Sequence, residues 1–267
     1  MLHRELEPPE ELRDAIKCFW HNRRDFGEQP SSFEVMPDGY AEIIFYFGGP
    51  CRIAARELPS PFMMGLLNRP VLVTAQGRFD IIGVRCFPWT VFDLLGLPSG
   101  ADEVRAFDHP IAQLQPGLDR LMRGGRTDEA LAEVARYFIG ARVAADGTLS
   151  RAGLAMRAAN GALPVSEVAN AAHATVRTLE RKFRRSSGRT VKDVSALMRF
   201  EQARNQLWRD PDTSLAALAL ALGYADQSHL SKEFKRYSGV TPGTFARKAR
   251  SGASVDIVAF VQSEASK

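Results

Sequence analysis

The chain has 267 residues, 45% hydrophobic and 25% charged, which is an ordinary globular composition and long enough for two modest cores. Acidic residues interrupt the first 20 positions where a signal peptide needs an unbroken apolar stretch, and no run approaches the roughly 18 apolar residues of a membrane span, so a cytoplasmic protein without a membrane partner is expected. The net charge of +4 conceals an asymmetry: Thr148 to Arg250 carries 18 Lys and Arg against 8 Asp and Glu, whereas residues 1–147 carry 16 against 21. A basic half joined to an acidic half points to a polyanion-binding module attached to something with another task.

Residues 1–147 alternate short β-branched and aromatic runs with Gly and Pro breaks: Phe33 to Met36, Ile43 to Phe47, Phe62 to Leu67, Val71 to Gln76 and Phe79 to Phe87. Short strands at this density predict a β-sandwich or small barrel, with Pro37 to Gly39 and Phe47 to Pro50 as turns. Beyond Pro88, WTVFDLLGL has helical spacing, and Thr127 to Tyr137 reads as a helix with Thr127 as N-cap and acids in its first turn. Ala141 to Thr148 reads as a linker. The domains expected are therefore 1–144, 145–252 and a tail from 253, in an α+β chain whose second half is all helix. The cysteines, Cys18, Cys51 and Cys86, have no CxxC spacing, which suggests neither a thiolate zinc site nor a disulfide framework and points to buried free thiols.

From Leu149 onward an internal repeat appears. LERKFRRSSGRTVKDV from Leu179 matches LSKEFKRYSGVTPGTF from Leu230 at an offset of 51, and upstream, at an offset of 50, His173 aligns with Gly223. In the second copy a helix of about Ser214 to Leu222 breaks at Gly223-Tyr224, and Asp226 caps a helix ending near Tyr237. Two short helices joined steeply form a helix-turn-helix. Leu230 and Phe234 then face inward and leave Gln227, Ser228, Ser231, Lys232 and Lys235 outward, short polar and cationic groups suited to base edges and phosphates in a major groove. Between the copies, a helix of about Val191 to Trp208, capped by Thr190 and packing through Val194, Leu197, Met198, Ala203 and Leu207, makes a rod of roughly 27 Å. Such a rod holds two recognition helices about one DNA turn apart.

GYADQSHLSKEFKRYSGVTPGTFAR, with RTLERKF and MRFEQARNQL before it, resembles the DNA-binding domain of the AraC/XylS family of bacterial transcription regulators, over about Leu149 to Arg250. The resemblance implies two helix-turn-helix units joined by a linker helix, double-stranded promoter DNA as partner, and RNA polymerase as a further partner where the regulator activates. It implies base-facing positions at Arg177, Glu180 and Arg181 in the first unit and at Gln227, Ser228, Ser231 and Lys232 in the second. By side-chain chemistry Arg177 and Arg181 suit guanine, Glu180 cytosine and Gln227 adenine, while Arg184, Arg185, Thr190, Lys235 and Arg236 suit phosphates. The first unit departs from the usual pattern, with His173 at the turn Gly and Val176 where Pro is frequent.

MPDGYAEIIFYFGG and GVRCFPWTVFDLLGLP resemble the small N-terminal domain fused to such regulators, which implies a small-molecule effector, a homodimer contact, or both. A ligand pocket would draw on Phe45, Phe47, Arg85, Trp89 and Phe92; the alternative is that these aromatics are core and the domain only dimerises. No enzyme is expected: there is no HxH, Gly-rich phosphate loop or GxSxG, and neither a catalytic residue, a metal site nor a cofactor is called for. The one reactive candidate is Cys86, next to Arg85, whose charge could lower the thiol pKa.

Overall fold

The structure, a computed structural model, describes residues 2–53, 56–90, 104–106, 109–141 and 146–251. Phe92, most of WTVFDLLGL, residues 142–145 of the linker and the tail from 252 lie outside the described residues. Strands β1 (Leu2–Leu6), β2 (Ile16–Asp25), β3 (Ser31–Val35), β4 (Ala41–Gly48), β5 (Cys51–Ile53), β6 (Arg56–Glu57), β7 (Phe62–Met64), β8 (Val71–Ala75), β9 (Arg78–Cys86) and β10 (Val104–Ala106) form the first half. They pair into a sheet of order β1-β2-β9-β4-β7-β10 and a second of order β3-β8-β5-β6. The described strands thus make a two-sheet sandwich, not a closed barrel.

Both faces of the larger sheet are covered. Trp20, Ile44, Phe62, Met64 and Ile81 point at the second sheet and meet Phe33, Val35, Val73 and Ala75. Phe19, Ile43, Phe45, Phe47, Ile82 and Val84 point the other way, under α1 (Gln115–Arg123) and α2 (Thr127–Ala141), whose Leu118, Met122, Val134 and Phe138 seal them. A strand covered on both faces loses its polar alternation, which is why β4 reads AEIIFYFG. Helix α2 starts at Thr127 itself, and the carbonyl of Arg126 accepts from Ala130; Thr127 is the first helical residue, not the N-cap.

The second half is helical: α3 (Gly147–Ala158), α4 (Val165–Ala171), α5 (Val176–Ser187), α6 (Val191–Arg209), α7 (Leu215–Ala221), α8 (Gln227–Ser238) and α9 (Pro242–Arg250). Side-chain caps begin six of the seven: Asp146, Thr175, Thr190, Ser214, Asp226 and Thr241 each accept from backbone N–H groups of the first turn. Thr190 and Asp193 form a reciprocal capping box at the start of α6.

The two halves share one continuous core. Met36, Leu66, Phe87 and Trp89 of the sandwich pack with Leu149, Met156, Phe183, Leu197 and Met198 of the helices. The β3–β4 loop enters this seam: Arg204 of α6 donates to the carbonyl of Pro37 at 3.1 Å, and Arg189 donates to the carbonyl of Leu66 at 2.7 Å. Beneath the loop, Arg85 Nε donates to Glu42 at 2.6 Å and its terminal nitrogen to Asp38 at 3.2 Å, while Trp20 donates to the other oxygen of Glu42 at 2.9 Å.

Candidate nucleic-acid interface

The repeat in the sequence is a repeat in three dimensions. Ser187 Oγ donates to the carbonyl of Phe183 and accepts from the N–H of Arg189; Ser238 Oγ, 51 positions later, donates to Phe234 and accepts from Val240. Gly188 (φ 70°) and Gly239 (φ 75°) end α5 and α8 in the left-handed conformation. Both inner turns need a positive φ, which Gly223 supplies at 72° and His173 at 52°, so His173 fills the glycine's role with a side chain that tolerates the region poorly.

Each unit buries the expected pair, Leu179 with Phe183 and Leu230 with Phe234, all fully enclosed. The opposite faces stay open. Arg177, Arg181, Arg184 and Arg185 on α5, and Gln227, Ser228, Lys232, Lys235 and Arg236 on α8, are exposed; Ser231 is half-buried. Glu180 is half-buried too, with one carboxylate oxygen shielded and without a hydrogen-bond partner among the described residues. Thr190 is placed differently from its expected phosphate role. Its hydroxyl and its N–H both donate to Asp193, so the cap of α6 uses both of its donors.

The cations of the two recognition helices stand mostly without carboxylates; on α5, among the described residues, Lys182 alone pairs, with Asp146. In the first half, several arginines are held by carboxylates: Arg23 and Arg78 by Asp80, Arg85 by Glu42, Arg123 by Asp119, Arg136 by Glu133. Among the described residues, Arg177, Arg181, Arg184, Arg185, Lys232 and Lys235 form no ion pair. A row of exposed cations without carboxylate partners is an electrostatic invitation to a polyanion.

One arginine ties the two units to the rod. Arg199, midway along α6, donates to the carbonyl of Gly161 at 2.8 Å in the first unit and to Glu233 of α8 at 3.3 Å, and lies 5.1 Å from the centre of the Tyr224 ring. Tyr224 itself donates to Glu233 at 2.7 Å. The sequence reading overlooked Arg199, because an arginine in a basic helix looks like surface; its spacing of four from Ser195 and Ala203, both buried, was the available signal.

Residues 168–248 match the family model described as a helix-turn-helix domain. A protein of Streptomyces antibioticus named as an AraC-like transcription regulator is 35% identical over 83 residues, 31% of this chain. The matched segment is a helix-turn-helix domain similar to part of that AraC-like regulator. The chain spans about a quarter of that relative's length, 27%. Residues 4–102 match a domain of unknown function, DUF6597. Among solved structures, ToxT from Vibrio cholerae is similar over 86% of this chain and 98% of its own, at 11% identity and a TM-score of 0.45. An AraC-type regulator from Chromobacterium violaceum is similar over 38% of this chain and 91% of its own, at 23% identity and a TM-score of 0.36.

The described residues expected to form a pocket, Phe45, Phe47, Arg85 and Trp89, do not come together. Phe45 and Phe47 are buried beneath α1 and α2, Arg85 is enclosed between Glu42 and Asp38, and Trp89 stacks on Phe87 at 5.2 Å in the seam. Period-two alternation along β4 sends both phenylalanines to the helical side, away from Trp89. Cys86 is fully buried, and burial first, then the charge of Glu42, pushes its thiol well up, the opposite of the lowering that Arg85 alone would give. All three cysteines are buried free thiols.

Proposed function

We propose that this chain is a sequence-specific DNA-binding regulator of transcription, in which α5 and α8 enter successive major-groove segments of one duplex. The observation that carries this reading is the pairing of two capped helix-turn-helix units with exposed, carboxylate-free cations on both second helices. Arg177 and Arg181 read guanine, Glu180 cytosine and Gln227 adenine, Ser228, Ser231 and Lys232 complete the base-facing set, and Arg184, Arg185, Lys235 and Arg236 hold phosphates. The AraC-like name of the Streptomyces relative supports the same reading for the matched segment.

The N-terminal domain sets the state of the DNA-binding half, through a small effector or through a contact between two copies of the chain. The space enclosed by Ile44, Tyr46, Phe62 and Phe79 between its two sheets amounts to about 10 Å³, at the limit for one water, so an effector would not sit there. The test is selection of bound sequences from random DNA by the full chain, followed by affinity against salt. A selected site bound with a log–log salt slope of several units is expected. Recovery of unselected DNA at every salt concentration would sink the reading.

A further inference from the structure

A cleft of about 430 Å³ opens where the β3–β4 loop meets α3 and α6, lined by Tyr40, Phe87, Leu154, Arg157, Met198 and Glu201 among others. Its volume lies in the range that holds a small molecule. Two features of its wall are unusual. Tyr40 and Phe87 face each other at 6.0 Å between ring centres, an aromatic corner with Leu154 and Met198 opposite. Beside them stands Glu201, whose ion pair with Arg204 is a long one at 4.0 Å.

Glu201 accepts from the N–H of Gly39, and its nearest cation, Arg204, is 4.0 Å away. The Arg204 guanidinium is committed elsewhere, to the carbonyl of Pro37 and to Asn205 Oδ1. The three carboxylates at the seam, Asp38, Glu42 and Glu201, face two enclosed guanidiniums, and Arg85 is shared by the first two. Burial, and then the charge of Asp38, raise the Glu201 pKa against the lowering by Arg204 and Arg85, so a further cation beside it would be stabilised. Arg157 does not supply it: its guanidinium lies 4.3 Å over the Phe87 ring at the exposed rim, with no ion pair to Glu201 among the described residues.

We propose that this cleft binds a small organic cation with an apolar or aromatic body, its charge paired with Glu201 and its body held against Tyr40, Phe87, Leu154 and Met198. A protonated amine answers both features at once: it gives Glu201 a charge-assisted hydrogen bond that Arg204, at 4.0 Å, does not make, and its body lies along the apolar wall. An anionic molecule of the same shape would meet Glu201 as a like charge. Seated there, the ligand bridges the β3–β4 loop to α6, the helix that carries both recognition units. The effect on DNA rests on the reading above; the binding does not.

The test is calorimetric titration of the full chain with 2-phenylethylamine, 2-phenylethanol and 3-phenylpropanoate. The amine is expected to bind saturably, about tenfold or more tighter than the alcohol and the carboxylate. Glu201→Gln is expected to erase that preference, and Ala158→Trp, at an exposed lining position, to abolish binding by filling the cleft while leaving the thermal unfolding of the chain in place. If Glu201→Gln does not fold, Ala158→Trp alone decides. Equal binding of all three probes, no saturable binding, or amine binding unchanged in the folded variants would overturn the proposal. Affinity for the selected DNA site, measured without amine, separates this failure from failure of the DNA-binding reading.

Discussion

The indole of Trp89 occupies the space that a β-carbon on Gly153 would fill, with Cε2 2.1 Å from that position. Gly153 lies in the interior of α3, where glycine costs about 1 kcal/mol relative to alanine, so helix propensity argues for its replacement and the indole argues against it. The contact joins sandwich to helices, and Trp89 continues to Phe183 of α5 at 6.4 Å between ring centres. Gly153→Ala is expected to destabilise the chain by about 1–3 kcal/mol through overpacking, read by urea denaturation. A stabilised variant would show that the two halves are not locked at this point.

Arg199 is expected to matter more than any exposed arginine. Its side chain and that of Glu233 are each 13% exposed, so truncation leaves a largely enclosed carboxylate without its cation. Arg199→Met is expected to cost about 3 kcal/mol, and Arg199→Lys to rescue little, because one ammonium cannot span Gly161, Glu233 and the Tyr224 face. The second readout is a loss of coupling between the units on DNA, seen as a shorter footprint with residual binding.

The inner turns give a sign test. His173→Gly removes the left-handed penalty and is expected to raise stability by roughly 0.5–1 kcal/mol. Gly223→Ala is expected to lower it by about 1–2 kcal/mol, since its β-carbon adopts the same φ and stands 3.0 Å from that of Ala162. Thermal melts of the two variants moving in the same direction would contradict this assignment of the turns.

Two buried carboxylates make stability depend on pH with opposite signs. Burial acts to raise Asp80, but hydrogen bonds from His21 at 2.7 Å and from Arg78, with the charge of Arg23, outweigh it and hold the carboxyl below its ordinary range. The native state then binds fewer protons than the unfolded one, so this contribution is present above about pH 4 and is lost as pH falls through the native value. Glu42 is pushed up to about 6, first by burial and then by Asp38, against the lowering by Arg85. Here the native state binds more protons, and stability falls as pH rises from 4.5 to about 6. Asp80→Asn should flatten the acid limb and Glu42→Gln the slope between 4.5 and 6, in denaturation followed from pH 3 to 7.

The helical half was legible because its signals are local. Ser214, Asp226 and Thr241 announce helix starts, Gly223 and Gly239 announce breaks, and the 51-residue offset repeats them. The five anticipated strands appear within a few residues of their expected bounds, but the short β5, β6 and β10 and the longer β1 and β2 are not anticipated. In β2, IKCFWHNRRD, His21 and Asn22 are buried, and the reason for His21 is Asp80, 59 positions away. No local pattern reports such a partner. The seam was illegible for the same reason: PDG reads as a turn, yet Pro37 accepts from Arg204 and Asp38 meets Arg85. The pocket failed because aromatic content on a strand does not say which face is covered.

On the recognition helices, Lys232→Ala is expected to change preference among variants of the selected site, whereas Lys235→Ala should weaken all sequences alike and reduce the salt slope by about one. Indistinguishable behaviour of the two would show that the face of α8 is wrongly divided.

The most direct measurement is hydroxyl-radical footprinting of the full chain on its selected site, with Arg181→Ala and Lys232→Ala alongside. Two protected segments about one helical turn apart, roughly 34 Å, are expected, with Arg181→Ala losing one and Lys232→Ala losing the other. A single segment, or two that respond identically to both substitutions, would contradict the placement of α5 and α8 in neighbouring grooves.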